Sequence, residues 1–284
     1  MVTEARPPSP APWGPGKHPR YLEQRMAKVN VLVLRAAGTN CDEETAFAFE
    51  LAGAEAQRVH VNRLRETPAL LRRYEVLAIP GGFTYGDDLG AGTVLANELT
   101  CWLRDQLEAF LQAGRLIIGI CNGFQVLVKM DLLPRVPGLD GQRQATLAPN
   151  LSARFEDRWV RLRVTAGRSA FVRDQHLIEL PVAHAEGRFA ARDDAVLEQL
   201  KANNQIVFQY CDTDGRPTTE YPANPNGSVL GVAGVCDPTG RVLGMMPHPE
   251  RHVLGVHHPR WTREGAKAQG DGLALFKNAL AYFA

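Results

Sequence analysis

An α/β fold, with a mostly parallel sheet flanked by helices and antiparallel additions in its second half, is predicted by three features. Short, nearly continuous apolar runs alternate with helix-period segments through the first half. Two of those runs stop abruptly, at Pro80-Gly81-Gly82 and at Cys121, as buried strands do when they open into loops. Beyond about residue 159, alternating strand patterns follow one another at short spacing.

The elements follow in order. VNVLVL (29–34) reads as a buried parallel strand opening into AAGTN. Asn40 and Glu43 have the spacing of a capping box, so ETAFAFELAGA is a helix that ends near Gly53. QRVHV (57–61) and EVLAI (75–79) are the next two strands. A long amphipathic helix follows, with Leu95, Leu99, Trp102, Leu103, Phe110 and Leu111 along one face, and closes at Gly114. RLIIGI (115–120) is a fourth buried strand and leads into the helix NGFQVLVKM. Helices of this length between strands imply right-handed crossovers and a sheet covered on both faces. In the second half, WVRLRV (159–164) alternates strictly, as a half-exposed strand does. HLIELPVA, QIVFQYC, SVLGVAGVC and RVLGMM are further strands, with a turn at Asp237-Pro238-Thr239-Gly240. DDAVLEQLKANN and DGLALFKNALAYF are helices, the second with Leu273, Phe276, Leu280 and Phe283 on one face.

Composition narrows the function. The chain has 284 residues, 32 Lys and Arg against 31 Asp and Glu, and a formal net charge of +1. A balanced charge disfavours nucleic acid or an anionic membrane as the main partner. No apolar run approaches the ~18 residues of a membrane span. The five cysteines are scattered with no CxxC pair, which disfavours a zinc ribbon or a disulfide framework and suits a reducing cytoplasm. Residues 1–20 carry six prolines, so 1–25 reads as a disordered extension before a domain spanning 26–284. Met26 is a candidate start, and a docking tail is the competing reading of the extension.

Three segments reach the carboxyl edge of the sheet, where α/β proteins bind ligands. In Gly119-Ile120-Cys121-Asn122-Gly123 a strand turns directly into a helix, with glycine two positions either side of a cysteine. That is the pattern of a nucleophile elbow, and it places the sulfur at a helix N-terminus, where partial positive charge favours an anion. An inert buried cysteine is the alternative. Met246-Pro247-His248-Pro249-Glu250 offers a base and a carboxylate to orient it from one proline-stiffened loop. Gly81-Gly82-Phe83 could present backbone N–H groups to an oxyanion, or could be a simple turn.

IPGGFTYGDDLGAGT, GICNGFQVL and LGMMPHPER together resemble the class I, or triad, glutamine amidotransferases. PGGFTYGD, CNGFQ, PVAHAEGRF and NPNGSVLGVAGV are similar, within that family, to the glutaminase subunits of phosphoribosylformylglycinamidine synthases of purine biosynthesis. The likeness runs from about Lys28 to the terminus and implies a flavodoxin-like three-layer domain. It implies Cys121 as nucleophile, His248 as base and Glu250 as its orienting partner. It further implies oxyanion donors at Asn122 and the Gly82–Phe83 stretch, a glutamine contact at Gln125, and a substrate or interface contact at His184. No cofactor or metal is expected in this chain. ATP and Mg would be used by a partner synthetase subunit, possibly with a small third subunit. The departures are RAAGTNCD in the first loop, Ala185 in PVAHAEG, and a long basic loop at 252–270.

Several readings compete. His184-Ala185-Glu186 is a second His-X-Glu and ranks below the first, which follows a buried strand. Cys41 lacks the small-residue flanks of an elbow and reads as structural. His248, His252, His257 and His258 could form a metal site, but an ordinary solvated loop is preferred. The alternatives for function are a triad glutaminase serving another acceptor, a silent regulatory subunit that keeps the fold, or a DJ-1/PfpI-like cysteine protein. The intact residue set argues against silence, and the PHPE segment argues against the last.

Overall fold

The computed structural model describes residues 28–139, 143–165 and 167–284, so the proline-rich leader and Met26 lie outside the described residues. The first half winds β1 (Asn30–Arg35), α1 (Asp42–Ala52), β2 (Glu55–His60), α2 (Val61–Glu66), β3 (Val76–Ile79), α3 (Thr93–Gln112), β4 (Leu116–Ile120) and α4 (Asn122–Lys129). The second half adds β5 (Ala145–Ala148), β6 (Glu156–Val164), β7 (Leu177–His184), β8 (Arg188–Ala191), α5 (Asp194–Ala202) and β9 (Ile206–Tyr210). It closes with β10 (Val232–Cys236), β11 (Val242–Met245), α6 (Trp261–Glu264) and α7 (Leu273–Ala281).

Nine strands form one sheet in the order β2-β1-β3-β4-β11-β10-β9-β6-β7, while β5 and β8 pair separately. The pairs from β2 to β11 are parallel and those from β11 to β7 antiparallel. The predicted division between a parallel half and antiparallel additions is therefore observed. β3 and β4 are buried along their whole length, which is why they read as unbroken apolar runs. β6 buries Val160, Leu162 and Val164 and leaves Asp157 and Arg163 in water, as alternation requires. α1 packs on α7, with the Phe49 and Phe276 rings edge to face at 4.8 Å, and α3 packs on α4.

Three details differ from expectation. α1 begins at Asp42, with Cys41 as an N-cap that makes no side-chain cap bond, so the Asn40–Glu43 capping box does not form. Asp42, Glu43 and Glu44 instead put negative charge on the first turn. The strand predicted from Ser228 begins only at Val232, because Val229–Gly231 forms a 3₁₀ turn with Leu230 at φ 55°. The 252–270 loop is not an ordinary solvated one at its start. His252, Val253, Gly255 and His258 are buried, and the Trp159 ring lies edge-on to His252 at 5.0 Å and His258 at 4.8 Å. His252 Nδ1 meets the Glu179 carbonyl at 2.7 Å, and His258 Nε2 meets the Glu179 carboxylate at 2.8 Å. His257 stays exposed, so the four histidines of that stretch do not converge.

Candidate active site

Register sets the site. β11 runs parallel beside β4 with Gly244 opposite Gly119 and Met245 opposite Ile120, so Cys121 and the 246–250 loop leave the sheet side by side. Between β4 and α4 the chain turns through Cys121 at φ 52° and ψ −106°. A non-glycine residue there carries strain on the order of 1–3 kcal/mol, which the surrounding packing must hold. Its flanking glycines are required by close approach. A Cβ on Gly119 would lie 2.5 Å from the Gly123 carbonyl oxygen, and one on Gly123 would lie 1.9 Å from that of Ile79. Cys121 Sγ points to the Ala183 carbonyl at 3.6 Å.

His248 and Glu250 follow β11 on a loop pinned by the His248 N–H donating to the Pro181 carbonyl at 2.8 Å. Glu250 Oε1 is 2.6 Å from His248 Nδ1, and both side chains are buried. Burial alone would lower the imidazole pKa. The Glu250 carboxylate and the Cys121 sulfur outweigh it and hold His248 well above the ordinary histidine value. With Nδ1 committed to Glu250, Nε2 has no hydrogen-bond partner among the described residues, nor does Glu250 Oε2. An unpaired imidazole nitrogen next to a thiol is what a general base needs.

The two expected oxyanion donors differ in state. Asn122 opens α4, so its N–H lies outside the intrahelical ladder. The Phe83 N–H instead donates to the Gly38 carbonyl at 2.9 Å and is not free. Gly82, at φ 148°, allows that orientation, and a Cβ there would lie 2.7 Å from the Gly38 carbonyl oxygen. The Asn122 side chain ties the loop after β3 to the elbow. Its Oδ1 accepts from the Thr84 hydroxyl at 2.7 Å, and its Nδ2 donates to Gln125 Oε1 at 3.0 Å and Asp87 Oδ1 at 3.3 Å. Gln125 Nε2 donates to the Glu186 carbonyl at 2.6 Å. Gly82, Phe83, Asn122 and Gln125 thus surround one strand-end region with Cys121.

His184 requires a correction. It is 2% exposed, so its ring presents nothing to a docking partner. Nδ1 lies 3.2 Å from Asn150 Oδ1, and burial pushes the imidazole pKa down to about 3. The same Asn150 donates through Nδ2 to the His184 carbonyl and accepts the Gly187 N–H, so it clamps the segment that carries the Ala183 and Glu186 carbonyls.

Cys41, structural by its sequence context, nevertheless lies in the site. A Cβ on Gly81 would be 2.8 Å from His248 Cε1, 3.1 Å from Cys41 Sγ and 3.4 Å from Cys121 Cβ. Arg251 Nη2 donates to Cys41 Sγ at 3.0 Å while its Nε faces Glu44 at 3.4 Å. The available signal was position: Cys41, Gly81, Cys121 and His248 each follow the carboxyl end of one of four adjacent strands.

Comparison with known proteins agrees with this arrangement. Residues 28–283 match the family model of the CobB/CobQ-like glutamine amidotransferase domain. The phosphoribosylformylglycinamidine synthase subunit PurQ of Dehalococcoides mccartyi is 49% identical over 258 residues, covering 90% of this chain and 98% of its own. The subunit of the same name from Methanococcus maripaludis is 43% identical over 265 residues, covering 89% of this chain and 97% of its own. PurLQS from Thermotoga maritima is a structural neighbour, with a TM-score of 0.68 at 30% identity, covering 90% of this chain and 100% of that one. The chain belongs to the CobB/CobQ-like glutamine amidotransferase family, and within it to the branch of the phosphoribosylformylglycinamidine synthase PurQ subunits.

Proposed function

We propose that this chain is the glutaminase subunit of a phosphoribosylformylglycinamidine synthase. The observation that carries the reading is the strained Cys121 elbow beside the buried His248–Glu250 pair. Cys121 gives its proton to His248 Nε2 and attacks the side-chain amide carbon of glutamine. Glu250 fixes the imidazole through Nδ1 and stabilises its charged form. The tetrahedral oxyanion is met by the Asn122 N–H and, after rotation of the Gly82–Phe83 peptide, by that of Phe83. Collapse expels ammonia, which takes the proton from His248 and leaves a glutamyl thioester on Cys121. Water, deprotonated by His248, then releases glutamate and restores the thiol.

Ammonia passes to a synthetase subunit, accompanied by a small third subunit, that uses ATP and Mg to convert formylglycinamide ribonucleotide to its amidine. Residues 26–284 act as one amidotransferase domain in the cytoplasm. Among the described residues, no helix is long and apolar enough to cross a membrane.

The test is Cys121→Ala in the assembled enzyme. Glutamine-dependent amidine formation is expected to vanish while ammonia-dependent formation continues, with Cys41→Ala as the matched control. Retained glutamine hydrolysis in Cys121→Ala would overturn the nucleophile, and a complex that uses a different acceptor would overturn the pathway.

A further inference from the structure

The turn that carries His248 and Glu250 is held from two sides. On one side the His248 N–H donates to the Pro181 carbonyl of β7 at 2.8 Å. On the other, Arg251 reaches the start of α1, 207 and 210 positions away in the chain. Its Nη2 donates to the N-cap residue Cys41 at Sγ, 3.0 Å away, and its Nε faces the Glu44 carboxylate of the first turn at 3.4 Å. That sulfur lies within 4.8 Å of both a ring nitrogen of His248 and a carboxylate oxygen of Glu250, so a single atom separates the guanidinium from the pair. Burial is the main influence on the Cys41 thiol and pushes its pKa up, so the thiol stays neutral and does not cancel the Arg251 charge. Arg251 has no task in the proton transfers between Cys121 and His248.

We propose that Arg251 is a positioning residue for glutamine hydrolysis, which fixes the His248–Glu250 turn to α1 and sets a cation beside the pair. The inference rests on the glutaminase reading and adds to it. Two effects follow from one side chain. The guanidinium spans a sulfur and a carboxylate at one helix start, so losing it frees the turn to shift, and a misplacement of ~1 Å costs about 100-fold in rate. The charge acts separately. His248 faces Glu250 on its own turn, Cys41 before α1, Cys121 before α4 and neutral His184 on β7. Arg251 adds positive charge to that set. It favours the Glu250 carboxylate, whose Oε2 has no partner among the described residues, and opposes a second proton on the Cys121–His248 pair. Lysine keeps that charge but not the two-point geometry, because an ammonium is a point charge and a guanidinium a planar fork.

The readouts are kcat, KM and the pH profile of glutamine hydrolysis in the assembled enzyme, with ammonia-dependent amidine formation as the measure of an intact complex. Arg251→Gln is expected to lower kcat by about 10- to 100-fold and to leave KM within about twofold of wild type. It should also move the acid limb of kcat/KM to higher pH by about half a unit or more, since a cation beside the pair is gone. Arg251→Lys should keep the acid limb at its wild-type position while kcat stays below wild type by about threefold or more. Glu44→Gln, at a carboxylate 33% exposed, frees only Nε and should cost about two- to fivefold in kcat. That variant keeps the proposal testable should both Arg251 variants fail to fold, and a wild-type rate in it overturns the bridge to α1. A wild-type kcat in Arg251→Gln overturns the positioning, as does a raised KM at unchanged kcat, which marks a substrate contact. An acid limb that stays put in Arg251→Gln, or moves equally in Arg251→Lys, overturns the role of the charge. Hydrolysis that survives Cys121→Ala sinks the glutaminase reading instead, and shows itself without any change at Arg251.

Discussion

His184-Ala185-Glu186 and His248-Pro249-Glu250 share one local pattern and have opposite fates. In the second, both side chains turn toward each other, and the 2.6 Å contact favours the charged form of the imidazole inside the protein. In the first, the imidazole turns into a neutral network with Asn150 and Asn226, and the Glu186 carboxylate turns away to the Ala91 N–H at 3.3 Å. Burial is nearly the same for the two histidines, yet one is pushed down to about 3 and the other is held well above its ordinary value. Desolvation acts on both rings. Only His248 has an anionic partner in contact, and that partner decides the sign. The motif supplies the groups; the neighbours choose their charge.

The largest test of this contrast is a pair of isosteric changes. Glu250→Gln should lower glutamine turnover in the assembled enzyme by about 10³–10⁴-fold, as loss of an orienting carboxylate does in related triads. Glu186→Gln should change it by less than about tenfold, because the contact to Gln125 is made by the Glu186 backbone. Reversal of that order would exchange the roles of the two segments.

Next in size is the donor missing from the oxyanion site. With the Phe83 N–H engaged by Gly38, the isolated chain lacks one donor, and such a loss typically costs about 100- to 1000-fold in rate. Steady-state hydrolysis should therefore rise by that order when synthetase, ATP and acceptor are added. Equal rates in all conditions would remove the gate and leave the His248 pair untouched.

The smallest effect is on stability. His184 binds its proton more tightly unfolded, near 6.5, than folded, near 3, so stability rises with pH across that window and is lost on acidification. The contribution is at most about 1.4 kcal/mol per pH unit, and His184→Gln should flatten the acid limb of a melting-temperature profile. His248 has the reverse sign. Its contribution is full below the unfolded pKa and is lost as pH rises through the folded value, so His248→Gln should leave the acid limb in place and alter the alkaline one. An acid limb insensitive to His184 would show that its ring is not the buried neutral group described here.

Much of this was legible because the constraints are local. The strands at 76–79 and 116–120 announced themselves as apolar runs, since both faces are covered. Gly119 and Gly123 marked the elbow because a strand-to-helix turn of that tightness excludes side chains within a few residues of Cys121. β5 and β8 went unread. They are four residues each and pair with partners 40 to 46 positions away, so neither carries enough period to be seen. The burial of His252 and His258 was equally invisible, because it depends on Trp159 of a distant strand.

What the sequence determined by itself was the succession of the nine main-sheet strands, the elbow and the proximity of His248 to Glu250, all set by short-range sterics and residue spacing. Tertiary structure decided which nitrogen lies free, which histidine favours its charged form and which cysteines share the site. Those properties belong to pairs far apart in the chain: Arg251 with Cys41, Asn150 with His184, Gly38 with Phe83. Hydrogen bonds and desolvation act through space at a few ångströms; parallel packing of β1, β3, β4 and β11 brings the first and third pairs within that range, and the antiparallel half of the fold brings the second.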